Sequence, residues 1–355
     1  MCVPTTSFSF LKDMIVDSEG HGLAGVGDQN PSPRDSPAAE DFFVPRAPPQ
    51  RPLLFSKIML KFLAHLFYDF PSDAKRTGVA QLVTISYSHY NELARWSLER
   101  AGVAYEEHGY APGQHTLPAL SIRVPKSGAR HLATSSSMTG SKPSPTSLPA
   151  LILPDGSVKK DSWEICASTS LAPIDEAALQ EVLDRELGVA ARKLAYCILL
   201  KPEHAERFAA MCTEGRHWGW RLLWRCGVGA GLRGVLSKAF RPEDAAGVAA
   251  CIAQLDALLA PTGKIAGALA EARRAGHSFL GGDAIGQADI ALCSIAALLV
   301  LPEEYGGSKR PMAPHFAYLL SRDEQMRSLV ERWRQTEVGA YVLHVYRHHR
   351  VATPA

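Results

Sequence analysis

Strand-forming patterns in this chain stop before Asp175, and helix-forming patterns fill the part that follows. The β-branched, apolar run Leu82–Ile85 leads into Asn91–Ala101, where apolar residues recur at helical spacing. Gly102 then occupies the position of a helix C-terminal cap, and Val103–Tyr105 predicts a second short strand. We therefore expect a β-α-β unit here and an all-helical part after it.

A β-hairpin pattern completes the first part. Leu148–Leu153 predicts a strand, Pro154–Gly156 a tight turn, and Ser157–Val158 a partner strand. A helix is expected to begin at Asp161 and Ser162. These patterns predict an α/β domain over residues 80–172, followed by a helical bundle over 173–355.

The helical part is marked by apolar faces. One predicted helix of about 25 residues carries six apolar residues on a single face. These residues are Leu179, Leu183, Leu187, Ala191, Leu194 and Ile198. Ala288–Val300 is apolar nearly all round, which predicts a helix at the centre of the bundle. Further helices are expected at Glu324–Gln335 and Val338–His348.

Two regions lack these patterns. Residues 1–79 are predicted to be a disordered extension, because residues 1–52 hold eight of the 24 prolines and little apolar periodicity. Within it, residues 55–70 predict one amphipathic helix. Residues 109–147 are predicted to be an exposed insertion, since their last sixteen residues include nine Ser or Thr.

The composition narrows the class of partner. With 46% hydrophobic and 21% charged residues, the 355-residue chain is expected to fold, and its net charge of +2 gives no reason to expect nucleic acid or an anionic membrane. The seven cysteines are scattered singly, which favours a reducing compartment and no metal site. We expect no membrane span and a cytoplasmic protein, with plastid or mitochondrion as the alternative.

The segment Arg216–Arg225 mixes aromatic and basic residues, a combination also found in single-strand nucleic-acid binders. Because it falls within the predicted bundle, we interpret Trp218, Trp220 and Trp224 as core residues or as the wall of an apolar pocket. The arginines are expected to point outward. Nucleic-acid binding is the less favoured interpretation.

The order of elements resembles the glutathione transferase superfamily over about residues 81–350. Ser86–Gly102 is similar to the segment that presents the catalytic Ser, Tyr or Cys, and Ser147–Leu151 to the cis-proline strand. Asp161-Ser162 is similar to the acid-Ser pair of that family. Phe279–Asp289 is similar to the segment opening the central helix, although Gly286 stands where the family usually has Ser or Thr.

The resemblance implies a thioredoxin-like βαβ-ββα domain and particular roles. Ser88, seven residues before Arg95, would be the catalytic hydroxyl, with Tyr87 as the alternative and a purely structural role for both left open. The backbone of Leu148, before a cis Pro149, would pair with the cysteinyl part of glutathione. Asp161 and Ser162 would hold its γ-glutamyl end, whereas the glycine-carboxylate contact cannot be assigned.

The implied function is conjugation of glutathione, as co-substrate, to a small apolar electrophile. Glutathione reacts as its thiolate, so the protein must lower a thiol pKa of about 8.5. A Ser at position 88 favours such activation over the mixed-disulfide chemistry of a Cys. A catalytically silent scaffold and a glutathione-dependent peroxidase or reductase are the alternatives, and a homodimer is possible.

Overall fold

The computed structural model describes residues 69–122, 147–174, 177–307 and 312–350. The predicted extension up to residue 68, nearly all of the predicted helix 55–70, and residues 123–146 of the predicted insertion lie outside them. Within the rest of the predicted extension, Ala74–Thr77 forms a short helix, α1, which Asp73 caps by accepting from the backbone N–H of Lys75. Ala74 is buried, so the ordered body includes this turn.

A four-stranded sheet forms the first part of the described chain. Its strands are β1 Ala80–Ile85, β2 Tyr105–Tyr110, β3 Ala150–Ile152 and β4 Val158–Lys160. The spatial order is β2-β1-β3-β4, with β1 and β2 parallel and the other pairs antiparallel. Three helices accompany the strands: α2 His89–Arg100, α3 Thr116–Ser121 and α4 Ser162–Ala167. The predicted thioredoxin-like fold class is confirmed.

β2 lies further along the chain than the predicted strand Val103–Tyr105 and overlaps it only at Tyr105. It runs to Tyr110, and α3 follows, so part of the predicted insertion 109–147 is regular structure. The polar sequence of β2 does not show the apolar pattern of a strand. Its polar side chains are accommodated because they have hydrogen-bond partners on neighbouring elements. Glu107 accepts from Thr84 and from Arg95, and His108 lies 2.6 Å from Oε1 of Gln81.

The second part is helical, as predicted. Its first long helix combines α5 Ala177–Glu181, a π-helical segment Val182–Leu187 and α6 Gly188–Leu199. The six residues predicted on its apolar face are all buried. The elements that follow are α7 Ala205–Thr213, α8 Trp218–Leu223, a π-helical segment Trp224–Val228, α9 Gly229–Phe240, α10 Ala245–Leu259 and α11 Lys264–Arg274. The last four are α12 Gln287–Val300, α13 Ala313–Arg322, α14 Glu324–Arg334 and α15 Glu337–His349.

The central helix α12 is buried along almost its whole length, as its apolar sequence predicted. Asp289 organises its start, because its carboxylate accepts from the backbone N–H groups of Leu280, Gly281 and Gly286 and from the hydroxyl of Tyr341. The carboxylate therefore makes the N3-acid half of a capping box with the N–H of Gly286 and also holds the preceding loop, whereas Gly286 has no side chain to make the other half.

The stretch Ala245–Arg274 is long and apolar enough to cross a membrane by length and composition alone, with a mean hydropathy of 1.4. It comprises two helices, α10 and α11, and α10 buries Leu255 and Leu259. Core helices of soluble proteins pass the same criterion but are mostly buried, whereas 22% of the most apolar window of this stretch is buried.

Candidate functional site

The sheet register brings the three sequence-predicted segments to one end of the sheet. Val83 pairs with Ala150, and Ala150 pairs with Lys160, both in antiparallel register. Continuing that register by two residues places Leu148 beside Ile85 on one side and Ser162 on the other. A hydrogen bond from Asp161 N to Pro149 O, 3.1 Å long, continues this pairing.

Ser88 is the N-cap residue of α2. Its backbone is extended, its side chain is half-buried, and its hydroxyl makes no capping hydrogen bond. Among the described residues the hydroxyl has no hydrogen-bond partner at all. A hydroxyl and the positive end of a 12-residue helix therefore share one position.

Tyr87, the alternative to Ser88, faces the helical part instead. Its hydroxyl lies 3.5 Å from Sγ of Cys212 on α7, and its carbonyl accepts from the hydroxyl of Tyr305 at 3.2 Å. Burial, together with Cys212, raises the pKa of Tyr87 well above its usual range. The two predicted hydroxyls thus point into different surroundings.

The Leu148-Pro149 peptide bond is cis, as the resemblance implied. Pro149 is buried, and its carbonyl is taken by Asp161. The N–H and C=O of Leu148 have no hydrogen-bond partner among the described residues. These are the two backbone groups that were predicted to pair with a peptide-like ligand.

Asp161 and Ser162 begin α4. Ser162 is 1% exposed, and its hydroxyl donates to Oδ1 of Asp161 at 3.2 Å. The same oxygen accepts from the backbone N–H of Trp163 at 3.0 Å. Asp161 has a φ of 111°, a backbone conformation that residues other than glycine rarely adopt. Burial, reinforced by Asp184 and Glu164, raises the pKa of the Asp161 carboxyl.

Arg216 reaches this end of the sheet from the helical part. Its guanidinium donates to the hydroxyl of Ser86 at 2.8 Å and to the carbonyl of Gly109. The expectation that the arginines of Arg216–Arg225 point outward is therefore wrong for this residue. Trp218 is not a core residue, because it is 55% exposed, whereas Trp220 is buried. Ser86 and Arg216 are 130 residues apart in the sequence, so no local pattern predicts the hydrogen bond between them.

The long helix of the second part packs on the start of α2. The hydroxyl of Tyr90 donates to the carbonyl of Asp184 at 2.7 Å, within the π-helical segment. Gly188 provides the space for this contact, because a Cβ there would lie 2.9 Å from Cζ of Tyr90 and closer still to its hydroxyl. Irregular π-helical turns of this kind are frequent at functional sites.

His89, the first residue of α2, is 2% exposed, and its Nε2 has no hydrogen-bond partner in the described part of the chain. Burial, and secondarily the charge of Arg192, lowers the pKa of His89 to about 3. The imidazole is therefore neutral at physiological pH. The sequence analysis assigned His89 and Arg192 no role.

A buried ionic network stands behind the site. Arg95 donates to both oxygens of Glu107, to Glu92 and to the carbonyl of Ser86. Arg350, near the C-terminus, also donates to Glu92. The site loop and the first turn of α2 are thus held by charged groups that are fully buried and mutually paired.

Comparisons with known proteins give similarity to solved structures alone. No family model matches the chain, and no curated protein matches it. A glutathione S-transferase from Ceriporiopsis subvermispora, in complex with glutathione, is 17% identical over 78% of this chain and 100% of that chain, with a TM-score of 0.37. A glutathione transferase from Populus trichocarpa is 15% identical over 75% and 98% of the two chains, with a TM-score of 0.34.

A glutathione transferase from Pseudomonas putida, with one glutathione disulfide bound per subunit, is 13% identical over 75% of this chain and 91% of that chain, with a TM-score of 0.34. Residue roles must therefore be argued from this chain's own geometry. The strand order, the cis bond before Pro149, the acid-Ser start of α4 and the helical second part are the elements that the resemblance to the glutathione transferase superfamily implied.

Proposed function

We propose that the protein is a glutathione transferase that joins the glutathione thiolate to a small electrophile. The observation that carries the proposal is the uncommitted hydroxyl of Ser88 at the N-terminus of α2. The backbone of Leu148 would bind the cysteinyl part of glutathione, and Asp161 with Ser162 its γ-glutamyl end. The electrophile would lie against the helical part, with an apolar body as expected from the sequence.

The energetics of thiol activation support this arrangement. Lowering a thiol pKa by about two units requires about 2.7 kcal/mol of selective stabilisation of the thiolate. A helix N-terminus contributes up to about 2 kcal/mol, and a hydroxyl donor to an anion about 1.5–3 kcal/mol. Ser88 combines both at one position, so no further cationic group is required.

Ser88 is favoured over Tyr87 by the surroundings of the two hydroxyls. The Tyr87 hydroxyl lies against Cys212, and burial and Cys212 both raise its pKa, so it is poorly placed to donate to a bound thiolate. A serine is also a poor match for reductase chemistry through a mixed disulfide, because it cannot form one. Cytoplasmic location, homodimer formation and the apolar nature of the electrophile stay predictions.

The test compares Ser88→Ala with Tyr87→Phe in the conjugation of glutathione to a generic aromatic electrophile. Ser88→Ala should raise the thiol pKa that is read from the rate-versus-pH curve by about one to two units. The substitution removes about 1.5–3 kcal/mol of stabilisation from the thiolate and none from the thiol. Binding of glutathione, measured by calorimetry, should change little. A curve that moves only with Tyr87→Phe would assign activation to the tyrosine.

Glutathione binding separates the enzyme from the scaffold alternative. Ser162→Ala should weaken binding, because the γ-glutamyl carboxylate would lose a hydroxyl donor worth about 1.5–3 kcal/mol. Calorimetric titration of the wild-type chain with millimolar glutathione is the first measurement. The absence of detectable heat would contradict the proposal and favour a scaffold.

A further inference from the structure

We propose that Arg192 binds an anionic group on the second substrate, so that the electrophile is an aromatic carboxylate rather than a wholly apolar molecule. This inference rests on the proposed function and names its substrate class. It is drawn from the placement of Arg192, from the lack of any partner for its charge, and from the aromatic rings one turn further along the same helix.

The placement follows from the contact between α6 and α2. Gly188 packs directly on the hydroxyl of Tyr90, in the first turn of α2. Arg192 lies four residues after Gly188, one turn further along the same helix face. It therefore projects beside the N-terminus of α2, where Ser88 would hold the thiolate.

The charge of Arg192 has no partner within the described residues. No carboxylate there forms an ion pair with it, and its Nε is buried without a hydrogen-bond partner. A buried donor without an acceptor destabilises the fold, so such a group is commonly matched by a ligand or by water. Asp161 and Asp184 both lie close to Tyr90, yet neither pairs with this guanidinium.

The groups around Arg192 favour an anion with an aromatic body. His89 lies at the same helix end, buried and neutral, so it adds no charge that would compete with Arg192 for an anion. Tyr196 lies one turn beyond Arg192, and its ring stacks on Phe240 with centroids 4.3 Å apart. An aromatic carboxylate would set its ring near Tyr196 and its carboxylate on the guanidinium fork, which matches carboxylate geometry.

The test uses two compounds of the same shape, 4-chloro-3-nitrobenzoate and 4-chloro-3-nitrobenzamide. Their binding to the full chain is measured by calorimetry without glutathione. The wild-type chain should bind the benzoate at least ten-fold more tightly than the benzamide. Arg192→Met should weaken benzoate binding at least ten-fold and change benzamide binding less than two-fold.

Arg185→Met is the matched control, because Arg185 lies two turns earlier on the same long helix. Its Nε is likewise buried without a partner, but its guanidinium pairs with Glu181. It should leave the binding of both compounds unchanged. Arg192→Lys keeps the charge and the stem, so it should retain a preference for the benzoate if Arg192→Met proves unstable.

Three outcomes would overturn the inference: a wild-type chain that does not prefer the benzoate, an Arg192→Met chain that keeps the preference, or equal loss of both compounds. Since glutathione is absent, failure of the transferase proposal leaves this test intact. Conversely, a chain that conjugates both compounds at equal rates, with the Ser88 dependence predicted above, would keep the transferase and reject the anion site.

Discussion

Nε of Arg350 donates a 2.7 Å hydrogen bond to Oε1 of Glu92, joining the end of α15 to the first turn of α2. Both side chains are at most 1% exposed, and Glu92 also accepts from Arg95 and from the backbone N–H of Gly306. The charges of the two arginines hold the pKa of the Glu92 carboxyl below its usual range, although burial opposes them. A buried carboxylate of this kind is stable only while its cationic partners remain.

Arg350→Met should therefore destabilise the protein by about 3–5 kcal/mol, because it leaves a buried carboxylate short of one partner. In a chain of this size that corresponds to a fall in melting temperature of roughly 10 °C. Lys264→Met is the control, since Lys264 forms an exposed pair with Glu186 and should change stability by less than about 1 kcal/mol. Equal melting curves for the two variants would show that the buried pair is not a major support.

Gly188→Ala should destabilise the protein although alanine is the better helix former. Replacing glycine by alanine stabilises an exposed helix interior by about 1 kcal/mol. At position 188, however, the added Cβ would collide with the side chain of Tyr90. We expect a net loss of about 1–3 kcal/mol in chemical denaturation. Tyr90→Phe in the same chain should recover part of the loss, and strictly additive effects of the two substitutions would contradict a direct clash.

Gly286→Ser, which restores the usual capping residue, should not stabilise α12. A Cβ at Gly286 would lie 3.1 Å from the carbonyl oxygen of Ala172 and 3.1 Å from Cα of Gly281, two backbone atoms that cannot rotate away. The expected loss is about 1 kcal/mol, against a capping gain of a few tenths. A raised melting temperature in thermal denaturation would show that the neighbouring loop yields.

Acid should destabilise the protein partly through His89. Its folded-state pKa is about 3, below the unfolded value near 6.5, so the unfolded chain takes up this proton first as the pH falls. Stability from the neutral imidazole is present above pH 6.5 and is lost between pH 6.5 and 3, by about 1.4 kcal/mol per unit. Urea unfolding at pH 7 and pH 5 should show about 2 kcal/mol less loss for His89→Gln than for wild type.

The exposed His277 supplies the control for this experiment, because its ring lies at the surface. His277→Gln should keep the wild-type difference between the two pH values. If His89→Gln keeps that difference as well, the buried imidazole does not govern the acid response.

The sequence predicted those elements whose apolar spacing is independent of distant partners. The face from Leu179 to Ile198 and the apolar α12 are of this kind, and both are buried as expected. β2 was underestimated because Glu107 looks like a loop residue until Arg95 and Thr84 are placed beside it. Local sequence patterns predict which residues are buried, but they do not predict hydrogen bonds and ion pairs between residues that are distant in the sequence.

The residues of the candidate site also fall into two groups, those that the sequence predicted and those that depend on distant contacts. Local order placed Ser88 near the start of the first helix, and the resemblance implied the cis bond before Pro149. The structure has Ser88 as the N-cap of α2 and has the cis bond. Their roles stay predictions. Arg216 and Arg192 were not assigned to the site, because their positions depend on how helices more than 100 residues away pack on the start of α2.

The bond from Arg216 to Ser86 makes the loop before Ser88 depend on the helical part of the chain. Ser86 directly follows β1 and stands two residues before Ser88, so the proposed thiol-activating loop is closed by a side chain translated about 130 residues later. A nascent or truncated chain that has formed only the sheet part would lack this closure. Glutathione reactivity is therefore expected to appear late in synthesis, once the helical part has formed. It is not expected as soon as Ser88 and α2 have been made.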